Sequence, residues 1–228
     1  QMLEVAYGAI KAADPSAVVL LGGLAYDLFG ILFSESFLDD VLAAGGGAYF
    51  DVMNFHMYPN FATNWGLYPV GTRGKTAEIR AKLAAYDLDK PIMITEAGWH
   101  NSKDDSSDAE QVARLLQIYT YSFVVDSKVT IWFNLYDTGN YLPPYGLVRN
   151  VASTIPLERK PAFYAYQTAV FFLSDARFVS DLMPTPTSTT FMEAYQFNTE
   201  RGKLYVAWQN PFGTNQTSTL QIPASTVT

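Results

Sequence analysis

Pro91-Ile92-Met93-Ile94-Thr95-Glu96-Ala97-Gly98-Trp99-His100 is a short apolar run that opens after a proline and closes in a carboxylate, a glycine, a tryptophan and a histidine. Apolar residues in succession, rather than in alternation, suit a strand covered on both faces, as the strands of a parallel sheet are. Glu96 then stands at the C-terminal end of a buried strand. That end displays catalytic groups in α/β barrels, but a carboxylate there can equally cap the following loop, and this stretch alone leaves both roles open.

Outward from this run, strands and helices alternate. Before it, Phe50 to Pro59 reads as a strand by its β-formers and the closing proline, and a period of two puts Asn54, His56 and Tyr58 on one face and Met53, Phe55 and Met57 on the other. Thr76 to Tyr86 is predicted as an amphipathic helix with Glu78 and Lys82 at i,i+4. After the run, Ser107 and Glu110 form a capping box at the head of a long helix. Val129 to Tyr136 reads as the next strand, with Thr130, Trp132, Asn134 and Tyr136 on a shared face, and Pro161 to Leu173 as a further helix. Toward the N-terminus, residues 1–13 are helical by spacing and stop at Asp14-Pro15. Val18 to Leu21 is a buried strand ending in Gly22-Gly23, and Ser34 to Ala44 a helix closed by Gly45-Gly46-Gly47. Four strands with helical crossovers predict an α/β fold with parallel strands and right-handed connections, half of a TIM (β/α)8 barrel, over residues 1–180. Residues 181–190 are a Pro/Thr linker by composition. Residues 191–228 read as a small all-β, sandwich-like segment: Phe191 to Phe197 and Lys203 to Gln209 joined at Glu200-Arg201-Gly202, with Thr217 to Ile222 as a third strand.

Composition narrows the chemistry. The 228 residues are 49% hydrophobic and 16% charged, which fits a globular protein with a large core. A net charge of −7 without Lys/Arg clusters argues against a nucleic-acid partner. The absence of cysteine excludes disulfides, thiolate metal sites and cysteine nucleophiles. Two histidines, His56 and His100, with no helix of paired ligands, predict no metal, and neither a Walker loop nor GxGxxG occurs, so no cofactor is expected. No apolar run is long enough to cross a membrane, and Gln1-Met2-Leu3-Glu4 reads as mid-helix rather than as a signal peptide.

Several of these stretches coincide in an order that resembles the C-terminal half of a clan A glycoside hydrolase, the retaining (β/α)8-barrel enzymes such as families five and thirty-nine. "DVMNFHMYP" resembles their sixth strand with its His-x-Tyr pair, "KPIMITEAGW" the seventh with the nucleophile, and "IWFNLYD" the eighth. "YGLV" followed by "ERKPAFYAYQ" is similar to the barrel-closing segment and last helix. The resemblance covers about residues 1–175 and implies strands five to eight of the barrel, with the start of an appended β domain beyond. It implies that Glu96 is the nucleophile, that Tyr58 hydrogen-bonds and orients it, and that His56 and Asn54 line the sugar site. Trp132, Asn134 and Tyr136 would face the same pocket, although the usual eighth-strand tryptophan sits nearer the strand end than Trp132, and Tyr136 can take the stacking place instead. Trp99 and Trp65, in loops after strands, offer flat rings to a pyranose or fold back over the core. An oligo- or polysaccharide substrate and a secreted setting follow from the resemblance.

Retaining hydrolysis needs a second carboxyl, the acid/base, about 5–5.5 Å from the nucleophile. The family carries it on strand four after an asparagine, and no Asn-Glu occurs here. The acid/base and the N-terminal half of the barrel are therefore expected to be missing partners, since four strands cannot close a barrel. Three expectations remain open: a fragment of a longer enzyme, a C2 pair of half-barrels whose two Glu96 would stand too far apart, and a non-catalytic carbohydrate-binding or structural unit.

Overall fold

The structure is a computed structural model that describes residues 1–27, 30–59, 71–139, 142–149, 157–183, 191–210, 217 and 219–222. It divides into two compact units, Gln1–Gln167 and Thr168–Thr228. Among the described residues, no helix is long and apolar enough to cross a membrane.

The first unit is built on three parallel strands in the spatial order of the sequence: β1 (Met53–Met57), β2 (Ile92–Ala97) and β3 (Ser127–Trp132). The crossovers carry α3 (Thr72–Ala84) between β1 and β2 and α4 (Asp108–Val124) between β2 and β3. They follow α1 (Met2–Ala13) and α2 (Phe37–Ala43). Met53, Phe55 and Met57 of β1 are fully buried, as its period-two pattern predicts, and so are Ile92, Ile94 and Ala97 of the apolar run in β2. Pairing His56 with Glu96 across a register shift after Phe55 brings the polar ends of β1 and β2 side by side.

Upstream, the expected strand at Val18 to Leu21 is reduced to single parallel bridges, Leu20 to Val52 and Leu24 to Phe55. Gly22 and Gly23 separate the two bridges, so the segment follows β1 without forming a continuous ladder. The helix expected at Thr76 begins at Thr72 instead, because Lys75 is drawn wholly inside and held there by Asp27. The α4 cap is as read: Ser107 Oγ accepts from the Glu110 amide at 3.1 Å. Strand β3 stops at Trp132 rather than Tyr136. Past it, Leu147 and Val148 donate to the Leu135 carbonyl, and Tyr136 bridges Val148. The alternation expected to put Asn134 and Tyr136 on the face of Trp132 therefore does not continue past the strand.

Helix α5 (Pro161–Leu173) has the predicted bounds. The second unit holds an antiparallel sheet of β4 (Arg177–Asp181), β5 (Phe191–Thr199) and β6 (Gly202–Asn210), in that order. The β5–β6 hairpin closes with Thr199 opposite Gly202, whose φ of 119° suits glycine. Its third strand is not the expected Thr217 to Ile222, since residues 217 and 219–222 form none. Arg177 to Asp181 takes that place, and its exposed Phe178 and Val179 gave no alternation to read. Most of the Pro/Thr linker, residues 184–190, lies outside the described residues.

Candidate active site

Three of the residues singled out in the sequence meet at the C-terminal ends of β1 and β2. The Tyr58 hydroxyl donates to Glu96 Oε2 at 2.8 Å. His56 Nδ1 lies 3.4 Å from the same oxygen. Among the described residues, Glu96 Oε1 takes no hydrogen bond or ion pair, and the side chain is 39% exposed. One carboxylate oxygen is thus fixed from the protein side and the other is left open.

Each neighbour is seated by packing. Burial, reinforced by the bond to Glu96, pushes the Tyr58 phenol far above its ordinary range, so it remains a donor. Its ring meets Phe133 and Tyr145 edge-on, with centroids 6.2 and 5.6 Å away. Gly98 makes room for this cluster: a Cβ there would lie 2.7 Å from the Phe133 carbonyl and 3.2 Å from the Tyr58 ring. Burial lowers the pKa of His56 against the opposing pull of Glu96, and Lys75 lowers it further. The imidazole packs on Gly23, where a Cβ would come within 2.1 Å of Nε2.

The other candidates are placed differently. Asn54 is buried, and its Oδ1 accepts from the Thr95 amide and hydroxyl at 3.3 and 2.9 Å, bracing β1 against β2. Trp132 is buried and its indole donates to the Tyr145 carbonyl at 3.1 Å, which puts it in the wall behind Tyr58. Trp99 donates to Ser106 Oγ at 2.9 Å, stacks beside His100, and carries the Arg114 guanidinium 4.7 Å from its ring centroid, so the ring ties the loop after β2 to α4. Asn134 Oδ1 is buried and unpartnered among the described residues. Tyr136 is exposed, and Trp65 falls outside the described residues. Among the described residues, no cluster of three or more His, Cys, Asp or Glu could hold a metal.

Three contributors escaped the sequence reading. Tyr145 touches Tyr58, Phe133 and His100 and was visible only as the first letter of "YGLV". Gly23 read as a bend, and its contact with His56 had no local signal. Lys75 fell just ahead of the helix read from Thr76 and carried no signal of burial.

Comparison with solved structures bears on the fold. A family 39 glycoside hydrolase from the gut symbiont Bacteroides cellulosilyticus WH2 superposes with a TM-score of 0.67 at 21% identity, covering 91% of this chain and 43% of that one. A glucosidase from Croceicoccus marinus superposes with a TM-score of 0.58 at 19% identity, covering 87% of this chain and 43% of that one. The chain shares the fold of these two structures over most of its own length. It spans less than half the length of either structure. No protein-family model and no curated protein sequence matches it.

Proposed function

We propose that this chain is the nucleophile-bearing part of a retaining O-glycoside hydrolase, with Glu96 as the nucleophile. The observation that carries the proposal is the asymmetry of that carboxylate. Oε2 is held by Tyr58 and His56 while Oε1 is free to approach an anomeric carbon, and all three residues sit at the C-terminal ends of parallel strands, where such folds do their chemistry. The glycoside hydrolase fold supports it.

In this mechanism Oε1 forms a bond to the anomeric carbon as the bond from that carbon to the leaving oxygen breaks. The leaving oxygen keeps the electron pair and takes a proton from an acid. Water then attacks the same carbon, releases the Glu96 carboxylate and gives its proton to that acid/base. Tyr58 keeps the attacking group oriented, and His56 lies beside the same oxygen. No residue of this chain is assigned to the acid/base, which we place in the remainder of a longer barrel. The unit Gln1–Gln167 is then the C-terminal part of that barrel, and the antiparallel sheet of β4, β5 and β6 an accessory β segment. The substrate is an oligo- or polysaccharide met outside the cell.

The test uses 2,4-dinitrophenyl 2-deoxy-2-fluoro-β-glycosides of glucose, mannose and xylose. Dinitrophenolate leaves without acid assistance and the fluorine stalls the second step, so a nucleophile is trapped even without its acid/base. Peptide mass mapping should find the sugar on the peptide holding Glu96, and Glu96→Gln should abolish it. Folded protein that binds sugars but is labelled by none of the three would instead be a carbohydrate-binding unit.

A further inference from the structure

Lys75 is a buried cation at this site that the mechanism above does not use. It enters from the first turn of α3, is wholly buried, and donates to three partners on two other segments. Among the described residues these are the carbonyl of Ala25, Asp27 Oδ2 at 2.9 Å, and the carbonyl of His56 at 2.8 Å. Its ammonium also lies 5.5 Å from the centroid of the Phe55 ring. A buried cation is retained only where partners repay its desolvation, and here two of the three are backbone carbonyls. One of these belongs to His56 itself. The other lies two residues beyond Gly23, against which the His56 ring packs.

We propose that Lys75 is a positioning residue for the Glu96 cluster: by clamping the backbone at His56 to the 25–27 segment, it holds the imidazole between Gly23 and the Glu96 carboxylate. The proposal rests on the reading of Glu96 as nucleophile for its consequence in catalysis, but not for its geometry. A second effect follows from charge. The groups acting on His56 are Glu96 from β2, which favours its protonation, and Lys75 from α3, which opposes it. Tyr58, two residues on, binds the same carboxylate oxygen, and Asp27 sits beyond Lys75 as its counter-charge. Lys75 is thus placed to keep His56 neutral as well as still.

The chain contains only two histidines, so a ring-nitrogen NMR titration reads His56 against His100 as an internal control. The double variant Lys75→Met with Asp27→Asn removes both buried charges together, leaving neither unpaired. It should raise the His56 midpoint, leave His100 unchanged, and slow fluoro-glycoside labelling of Glu96 by roughly 10-fold to 100-fold, the usual result of a small misplacement. A His56 titration identical to wild type in the folded variant would overturn the proposal. If the variant does not fold, the wild-type chain decides. Burial pushes Lys75 down to about 8, so the His56 resonances should carry a second inflection there that His100 lacks, and a single inflection overturns the proposal. Failure of labelling in the wild type with the expected histidine shifts would count against the nucleophile reading and leave the Lys75 clamp standing.

Discussion

Gly23 lies directly against the imidazole of His56, so closely that a Cβ at position 23 would sit 2.1 Å from Nε2 and 2.9 Å from Cε1. The ring cannot retreat freely, because Glu96 is on its Nδ1 side and Lys75 holds its backbone carbonyl. Gly23→Ala should therefore press the imidazole toward Glu96 and displace it from its present seat. We expect a loss of about 1–3 kcal/mol, the usual cost of overpacking, in urea unfolding, together with a shifted His56 ring signal. An unchanged His56 signal would show that the contact is not fixed in solution.

Tyr58→Phe keeps the ring among Phe133 and Tyr145 and removes only the hydroxyl on Glu96 Oε2. Labelling of Glu96 should slow by roughly 100-fold, in line with the loss of one preorganised donor, with little change in melting temperature. The phenol's raised pKa means that the folded state favours its neutral form. Its contribution to stability is whole below the ordinary 10.0 and declines as pH rises above it. The phenylalanine variant should lack that part of the alkaline decline.

Lys160 is fully buried and donates to Asp137 Oδ1 at 2.7 Å, Asn101 Oδ1 at 2.9 Å and the Pro144 carbonyl at 3.0 Å. It joins the loop after β2 to the segment before α5. Lys160→Met leaves the Asp137 charge unpaired and should cost about 3–5 kcal/mol in denaturant unfolding. Adding Asp137→Asn should recover part of that loss, and no recovery would show that the pair is not coupled.

Asp51 collects α1 onto the sheet: it accepts from Tyr7 at 3.0 Å and the Val19 amide at 2.8 Å, and pairs with Lys11 at 2.8 Å. The Lys11 bond, then the Val19 amide, hold its carboxyl down at about 2, below the ordinary 3.8. Its folded-state pKa is lowered, so its stabilisation is full above pH 3.8 and is lost as pH falls through about 2. Asp51→Asn should lower the melting temperature at pH 7 and flatten its fall between those two values. Parallel melting curves for the two proteins across that window would contradict the assignment.

What could be read from the letters followed burial. β2 spells itself as an apolar run, β1 as an alternation whose Met53, Phe55 and Met57 are buried, and α4 announces itself by Ser107 and Glu110. Strand parity put His56 and Tyr58 on one face, whereas their meeting with Glu96 was implied only by the family resemblance, because the pairing of β1 with β2 joins residues about 40 apart. β3 was overextended because Phe133 to Tyr136 keep a β-like lettering while their backbone turns to meet Leu147 and Val148. Arg177 to Asp181 was missed because its pairing with β5 is a long-range fact that its own residues do not encode. Lys75 and Gly23 are the same case at the site, since a buried lysine and a close-packed glycine acquire their meaning only from segments far away in sequence.

Strand β3 is hydrogen-bonded to β2 along one side and, among the described residues, to no strand along the other, while Val129 and Ile131 are exposed. Such a rim adheres to any extended chain that reaches it. What opposes that meeting is the net charge of −7, which repels like molecules over a distance that shrinks to about 10 Å at 0.1 M salt. In the longer barrel proposed above this rim is where a further strand would pair, and the isolated chain should associate more readily as added salt screens its charge.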